Sequence, residues 1–292
     1  RVDARSNDQS TPLTVAAEYG RVDIVRLLLD EGAHIEESEE NSCTSLHLAA
    51  GEGHLGVVTL LLARGVAISA RTKGRYTPLT LAVYSGREDI IRLLLAQGAD
   101  IEECEDHSWT SLHIAAQKSS LSIVDLLLER GASISARTNH HMTPLLVSAF
   151  NGREDIASVL LDRGAHIEDS NAAGWTSLHW AAEKGYEGIA RLLLEHGASV
   201  SARTKQQATP LAVAATHGRE GVVRLLLDKN AHVEECDEFG WTSLHYASRM
   251  GHLSIVSLLL ACGACVDARN NDQSTPLTLA AEYGREDVVR LL

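Results

Sequence analysis

Thr209-Pro210-Leu211-Ala212-Val213-Ala214-Ala215-Thr216-His217-Gly218 decides the reading of this chain, because the pattern returns along its whole length. A Thr-x-Leu core followed by a mostly small pair falls at Thr11, Thr44, Thr77, Thr110, Thr143, Thr176, Thr209, Thr242 and Thr275, at a constant step of 33 residues without insertion. A fixed period of this size means stacked supersecondary repeats, none of which can bury its apolar face alone.

Each column of the repeat has a physical job. All five prolines, Pro12, Pro78, Pro144, Pro210 and Pro276, directly follow the Thr. Thr before Pro reads as a helix N-cap followed by the first helical position, where a missing N–H costs nothing. Leu comes next in every repeat, from Leu13 to Leu277, and the small pair that follows lets neighbouring helices approach closely. The first helix is short and stops at a Gly nine residues after Thr, as at Gly53, Gly185 and Gly218, where glycine supplies a positive φ. Ser119 and, at the end of a second helix, Asn230 stand where other repeats have Gly. Asn tolerates that conformation; Ser is strained in it, so the Ser119 turn is expected to be a weak point. A second helix follows, as in Glu88-Asp89-Ile90-Ile91-Arg92-Leu93-Leu94-Leu95, with apolar residues at helical spacing and acids in the first turn. Then come Gly-Ala-x-Ile/Val and a short polar stretch, read as an extended loop or hairpin finger leading into the next repeat.

Helix–turn–helix–finger at 33 residues, opened by Thr-Pro-Leu or Thr-Ser-Leu-His, resembles the ankyrin repeat, and the resemblance covers the entire chain. It implies an all-α solenoid of helix-turn-helix units with short β-hairpin-like fingers projecting to one side. Residues 1–292 read as a single array of nine repeats, the first and last truncated. A longer period is superposed: Thr-Pro-Leu repeats alternate with Thr-Ser-Leu-His repeats at His47, His113, His179 and His245, so the duplicated element spans 66 residues. Residues 2–28 and 266–292 agree at 23 of 27 positions. Neither end resembles a polar capping repeat, and further repeats or domains are expected on at least one side.

The net charge of -13 excludes a nucleic-acid backbone, which needs a basic footprint, and disfavours an anionic membrane surface. The longest apolar runs fall well short of the roughly 18–20 residues a membrane span needs. Five scattered cysteines, an odd number, argue against a disulfide framework and for a reducing, intracellular, cytoplasmic setting. The fourteen histidines recur at repeat positions; equivalent atoms in adjacent repeats lie roughly 10 Å apart, one helix-packing layer, too far for two ligands of one metal at ~2 Å. Cys262-Gly263-Ala264-Cys265 closes a helix instead of opening one and has no second pair to complete a zinc site. In the fingers, Arg5, Arg71, Arg137, Arg203 and Arg269 alternate with Glu36-Glu37, Glu102-Glu103, Glu168-Asp169 and Glu234-Glu235. Oppositely charged neighbours would hold the fingers in register, and no matched acid/base pair, phosphate loop or activated nucleophile is present. No catalytic residue, cofactor or metal is expected.

By the same resemblance, partner-contacting positions lie four, three and one residues before each Thr and seven and eight after it, on one concave face. Nine of the twelve aromatic residues occupy those columns: Tyr19, Tyr76, Tyr84, Trp109, Phe150, Trp175, Phe239, Trp241 and Tyr283. Both methionines, Met142 and Met250, join them. Aromatics and Met are the residue types enriched at the centres of interfaces. The expected function is non-catalytic recognition of a protein partner by a monomeric array within a larger scaffold or sensor. Its binding residues would be Tyr76, Tyr84, Trp109, Met142, Phe150, Trp175, Phe239, Trp241 and Met250. The alternative is a spacer or elastic linker without a dedicated ligand, in which the Trp residues at 66-residue spacing pack on adjacent fingers.

Overall fold

A computed structural model describes residues 2–118 and 120–292. Among them run eighteen α-helices and one short 3-10 turn, Asp106–Ser108. The helices come two to a repeat: Ser177–Lys184 and Glu187–Glu195 after Thr176, Pro210–Thr216 and Glu220–Asp228 after Thr209. The chain forms two compact parts, Arg1–Asn139 and His140–Leu292.

The helices start where the Thr column says, with Pro at the first helical position in one repeat type and His at the third in the other. Thr209 is extended, and its hydroxyl accepts the Ala212 N–H at 3.2 Å, with Pro210 occupying the first helical position. Thr176 is extended too, but its cap is reciprocal: the Thr side chain accepts the backbone N–H of His179, and the Thr176 N–H donates to His179 Nδ1 at 3.3 Å. Both schemes satisfy N–H groups that a helix start leaves without intrahelical partners.

The first helices end on glycine for two reasons, of which the sequence gives only one. Gly185 has φ +80, and a Cβ there would also meet Arg219 Cδ at 2.9 Å, because Arg219 reaches back to donate Nε–H to Glu183 O at 2.9 Å. At Gly218, with φ +70, the His252 ring takes the same place. Asn230 adopts φ +64, as expected of an Asn standing for Gly. The expectation for Ser119 lies outside the described residues.

The expected β-hairpin-like fingers are corrected. Among the described residues there is no strand, only isolated antiparallel bridges at Ser38–Thr44, Cys104–Thr110, Ser170–Thr176 and Cys236–Thr242. Each finger is a tight turn closed by a pair of main-chain bonds, such as Thr204 N–H to Ala208 O at 3.1 Å and Gln207 N–H to Thr204 O at 2.9 Å. The residue two before Thr takes positive φ in all nine repeats, from Gln9 to Gln273, which breaks extended geometry. The next donor is committed sideways to the preceding finger: Lys205 N–H bonds Ala173 O at 3.0 Å, and Asn271 N–H bonds Phe239 O at 3.0 Å. With its donors divided between its own tight turn and the preceding finger, a finger has none left for an extended hairpin ladder.

The core is aliphatic and thin. Leu46, Leu79, Leu112, Leu145, Leu178, Leu211 and Leu244 are at most 1% exposed, as are Ala49, Ala115, Ala181, Ala214 and Ala247. In the C-terminal part these pack with Ile189, Val222, Val223, Ile255 and Val256 of the second helices. Truncating one such leucine to Ala costs about 2–5 kcal/mol.

Candidate functional site

In each compact part, fingers and first helices place the columns just before Thr on a common face, and the main chain there is tightly held. The residue five before Thr accepts the N–H of the residue one before it: Thr72 from Tyr76 (3.1 Å), Asn171 from Trp175 (3.0 Å) and Asp237 from Trp241 (2.9 Å). The carbonyl of that residue is held from the preceding repeat. His47 Nε2 donates to Tyr76 O at 3.1 Å, His179 to Ala208 O at 3.1 Å and His245 to Ser274 O at 3.2 Å. Because a backbone N–H points at Nδ1, the proton must sit on Nε2, and one neutral tautomer caps a helix and ties two repeats together. Burial pushes these imidazoles down from their ordinary pKa, His179 to about 4.

The expected binding residues separate into two groups. Tyr84, Phe150, Phe239 and Met250 are exposed, at 50%, 39%, 54% and 42%, as are Tyr19 and Tyr283. Tyr76, Trp109, Met142, Trp175 and Trp241 are half-buried. Trp109 lies 5.9 Å from the His113 ring, and Trp175 lies 5.9 Å from that of His179 and packs on the core. Tyr76 is hydrogen-bonded to Glu105, which with burial lifts its phenol to about 12.

Several of these residues are brought together through side chains that the column reading missed. In the C-terminal part Trp180 meets Trp175 at 4.6 Å and takes Phe150 edge-on at 4.8 Å, with Lys184 Nζ 4.9 Å from the Phe150 ring. Tyr246 lies 5.0 Å from Trp241, and the Arg249 guanidinium lies near both Trp241 (5.4 Å) and Tyr283 (4.7 Å). In the N-terminal part Lys118 Nζ stands 3.9 Å over Tyr84. Phe239 and Met250 belong to none of these stacks. Trp180 and Tyr246 stand four after Thr, where the other repeats carry aliphatic residues, so an aromatic there was a readable signal. The three cations occupy the same helix-end columns as the aromatics.

The charged fingers are largely committed to structure. Glu36, Glu102, Glu168 and Glu234 each accept a backbone N–H of the next repeat, from Ala67, Ser133, Ser199 and Cys265, at 2.7–2.8 Å. The second acid of the pair meets the arginine of the preceding repeat: Arg71–Glu103 at 3.3 Å and Arg203–Glu235 at 3.7 Å, with each guanidinium also donating to the next carbonyl, Cys104 O or Cys236 O, at 2.9 Å. Exposed pairs of this kind are worth about 0–1 kcal/mol each, and their effect is to fix register. Cys262 and Cys265 are free and exposed, and the Cys265 N–H is the one bonded to Glu234. Burial and a hydrogen bond to Glu39 lift the Cys43 thiol to about 12, away from thiolate chemistry. Among the described residues no group of three or more His, Cys, Asp or Glu is placed to hold a metal, and no helix is long and apolar enough to cross a membrane.

Paired short helices, fingers bonded edge to edge and a histidine ladder define a helical repeat protein. The sequence matches the family model for ankyrin repeats in overlapping stretches, 1–72, 46–138, 79–171, 136–204, 164–237, 201–270 and 230–292, and the chain belongs to the ankyrin-repeat family. Ankyrin repeats are generally non-catalytic protein–protein interaction modules. No curated protein matches the chain.

Proposed function

We propose that this chain is a protein-recognition array that captures its partner, in each compact part, on the face made by the fingers and the ends of the first helices. The anchors are Tyr76, Tyr84, Trp109, Met142, Phe150, Trp175, Phe239, Trp241 and Met250. The observation that carries the reading is the exposure of Tyr84, Phe150, Phe239 and Met250 on a face whose backbone is already fixed by bonds between repeats. Large apolar groups held rigidly at the surface lose little conformational freedom on binding. The half-buried tryptophans stiffen that face and contribute their outer edges. The array acts as a monomer of nine repeats, within a larger scaffold or sensor, in the cytoplasm; the five free cysteines suit that setting.

The test is a pull-down from a lysate of the source cells with three forms of the chain. One is wild type, and one carries Ala at Tyr84, Phe150, Phe239 and Met250. The third carries Ser at Leu55, Leu121 and Leu253, exposed residues that open second helices. All three must melt alike. Proteins captured by the first and third forms and lost by the second support the reading. Identical capture by all three, or by none, moves the function to a spacer.

A further inference from the structure

We infer that the Arg249 guanidinium of the C-terminal part receives a carboxylate side chain of a partner peptide, with an apolar partner residue beside it. The inference rests on the protein-recognition reading and names the chemistry one of its subsites selects.

The chain is rich in carboxylates, 39 Asp and Glu against 26 Lys and Arg, and several of its surface arginines find them. Arg92 meets Glu88 at 2.6 Å, Arg224 meets Glu220 at 2.7 Å, and Arg71 and Arg203 meet the fingers of the next repeat. Arg249 is different. Its guanidinium lies 5.4 Å from the Trp241 ring and 4.7 Å from the Tyr283 ring, and among the described residues it forms no ion pair. The nearby acid is occupied: Asp237 Oδ1 takes the N–H groups of Phe239 and Trp241, both at 2.9 Å, and Oδ2 takes the Tyr246 hydroxyl. The base of the arginine is pinned as well, since its carbonyl accepts Arg285 Nε–H at 2.9 Å.

A guanidinium stacked on aromatic faces keeps its in-plane donors free, and its planar fork suits a carboxylate better than an ammonium would. Aromatic rings this close exclude water and strengthen a charge-assisted bond made at the open edge. Met250, the residue after this arginine, and Phe239 of the same repeat are exposed and offer apolar contact to a neighbouring partner residue. The overall charge of -13 repels polyanions such as nucleic acids but tolerates one carboxylate met by one fixed cation.

The experiment is selection of a phage-displayed random 12-residue peptide library on the full 292-residue chain, followed by calorimetry with the enriched peptides. Each is compared with its Asp→Asn or Glu→Gln form, on wild type, Arg249→Gln and Arg249→Lys, all first shown to melt alike. The inference expects enriched peptides to share an acidic residue next to an apolar one. Amide replacement should weaken binding to wild type at least tenfold, but less than twofold to Arg249→Gln, with Arg249→Lys in between. Enriched peptides that lack an acidic residue, or that lose equal affinity on wild type and Arg249→Gln, overturn it. If such peptides still lose affinity on Trp241→Ala, the recognition reading survives this failure. Selection that returns no binder overturns the inference and counts against that reading as well.

Discussion

Acidification should unlock the array through its buried histidines well before its carboxylates protonate. His179 is inaccessible to solvent, accepts at Nδ1 from Thr176 N–H and donates from Nε2 to Ala208 O. A proton on Nδ1 would abolish the cap and bury a charge, which is why the pKa falls from 6.5 to about 4. The sign follows from linkage. Above pH 7.5 neither the folded nor the unfolded chain holds the proton, and the contribution is complete. Between pH 6.5 and 4 only the unfolded chain binds it, so stability falls as pH falls, and below pH 4 the loss is full. The whole shift corresponds to about 3 kcal/mol, of which about 2 kcal/mol is lost by pH 5. His47 and His245 are shifted the same way by the same cause and add to the loss. Glu88 and Glu220, whose pKa values are lowered by hydrogen bonds, give up their stabilisation only below the ordinary carboxylate range. Glu105, raised by burial, acts weakly in the opposite sense near that range. The assay is urea unfolding at pH 7.5 and pH 5, followed by circular dichroism and by tryptophan fluorescence, for wild type and His179→Gln. Glutamine keeps a capping group at the third helical position but cannot titrate. The variant should be about 1–2 kcal/mol weaker at pH 7.5 for want of the bond to Ala208, and its loss between pH 7.5 and 5 should be smaller than that of wild type by about 2 kcal/mol. Equal losses in the two proteins would refute the assignment of the acid sensitivity to this imidazole.

Three further substitutions probe the repeat chemistry. Ser177 stands where the other repeat type has Pro; its buried hydroxyl has no partner and Thr176 is already extended, so Ser177→Pro should stabilise by about 1 kcal/mol, and a lower thermal midpoint would contradict this. Gly185→Ala should cost about 1–2 kcal/mol from its left-handed φ, with added disorder at Arg219, read by chemical denaturation and by amide exchange of residues 183–186. Glu168→Ala should cost about 1 kcal/mol by exposing the Ser199 N–H, whereas Glu168→Gln, which keeps the acceptor, should lose less than half of that; equal losses would mean that the charge is what counts.

Much of the fold was legible because repetition exposes each column nine times over. The Thr caps, the Pro position, the leucine column and the glycine stops are local requirements, each visible from residue type and spacing alone. The finger was misjudged because its conformation is decided by its neighbours. Its turn residue at positive φ is Gln, Ser, Arg or His in seven repeats and Gly in only two, and some of its N–H groups bond across repeats, so nothing local announces the loss of strand geometry. The site was legible in part for a related reason. Columns identified the exposed Tyr84, Phe150, Phe239 and Met250, but a column does not say what lies beside it. The contacts of Trp180 with Trp175 and Phe150, and of Arg249 with Trp241 and Tyr283, depend on side chains from different columns meeting in space. The capping role of Glu36, Glu102, Glu168 and Glu234 was hidden in the same way, since their partners are main-chain groups 31 residues on.

The measurement that tests the central claim most directly is amide hydrogen exchange, by mass spectrometry, of the full chain with and without a partner captured by wild type. The account predicts slowed exchange in the fingers and at the ends of the first helices, around residues 73–85 in the N-terminal part and 171–184 and 237–250 in the C-terminal part, with the second helices unchanged. Protection confined to the second helices, with these fingers exchanging as before, would contradict it.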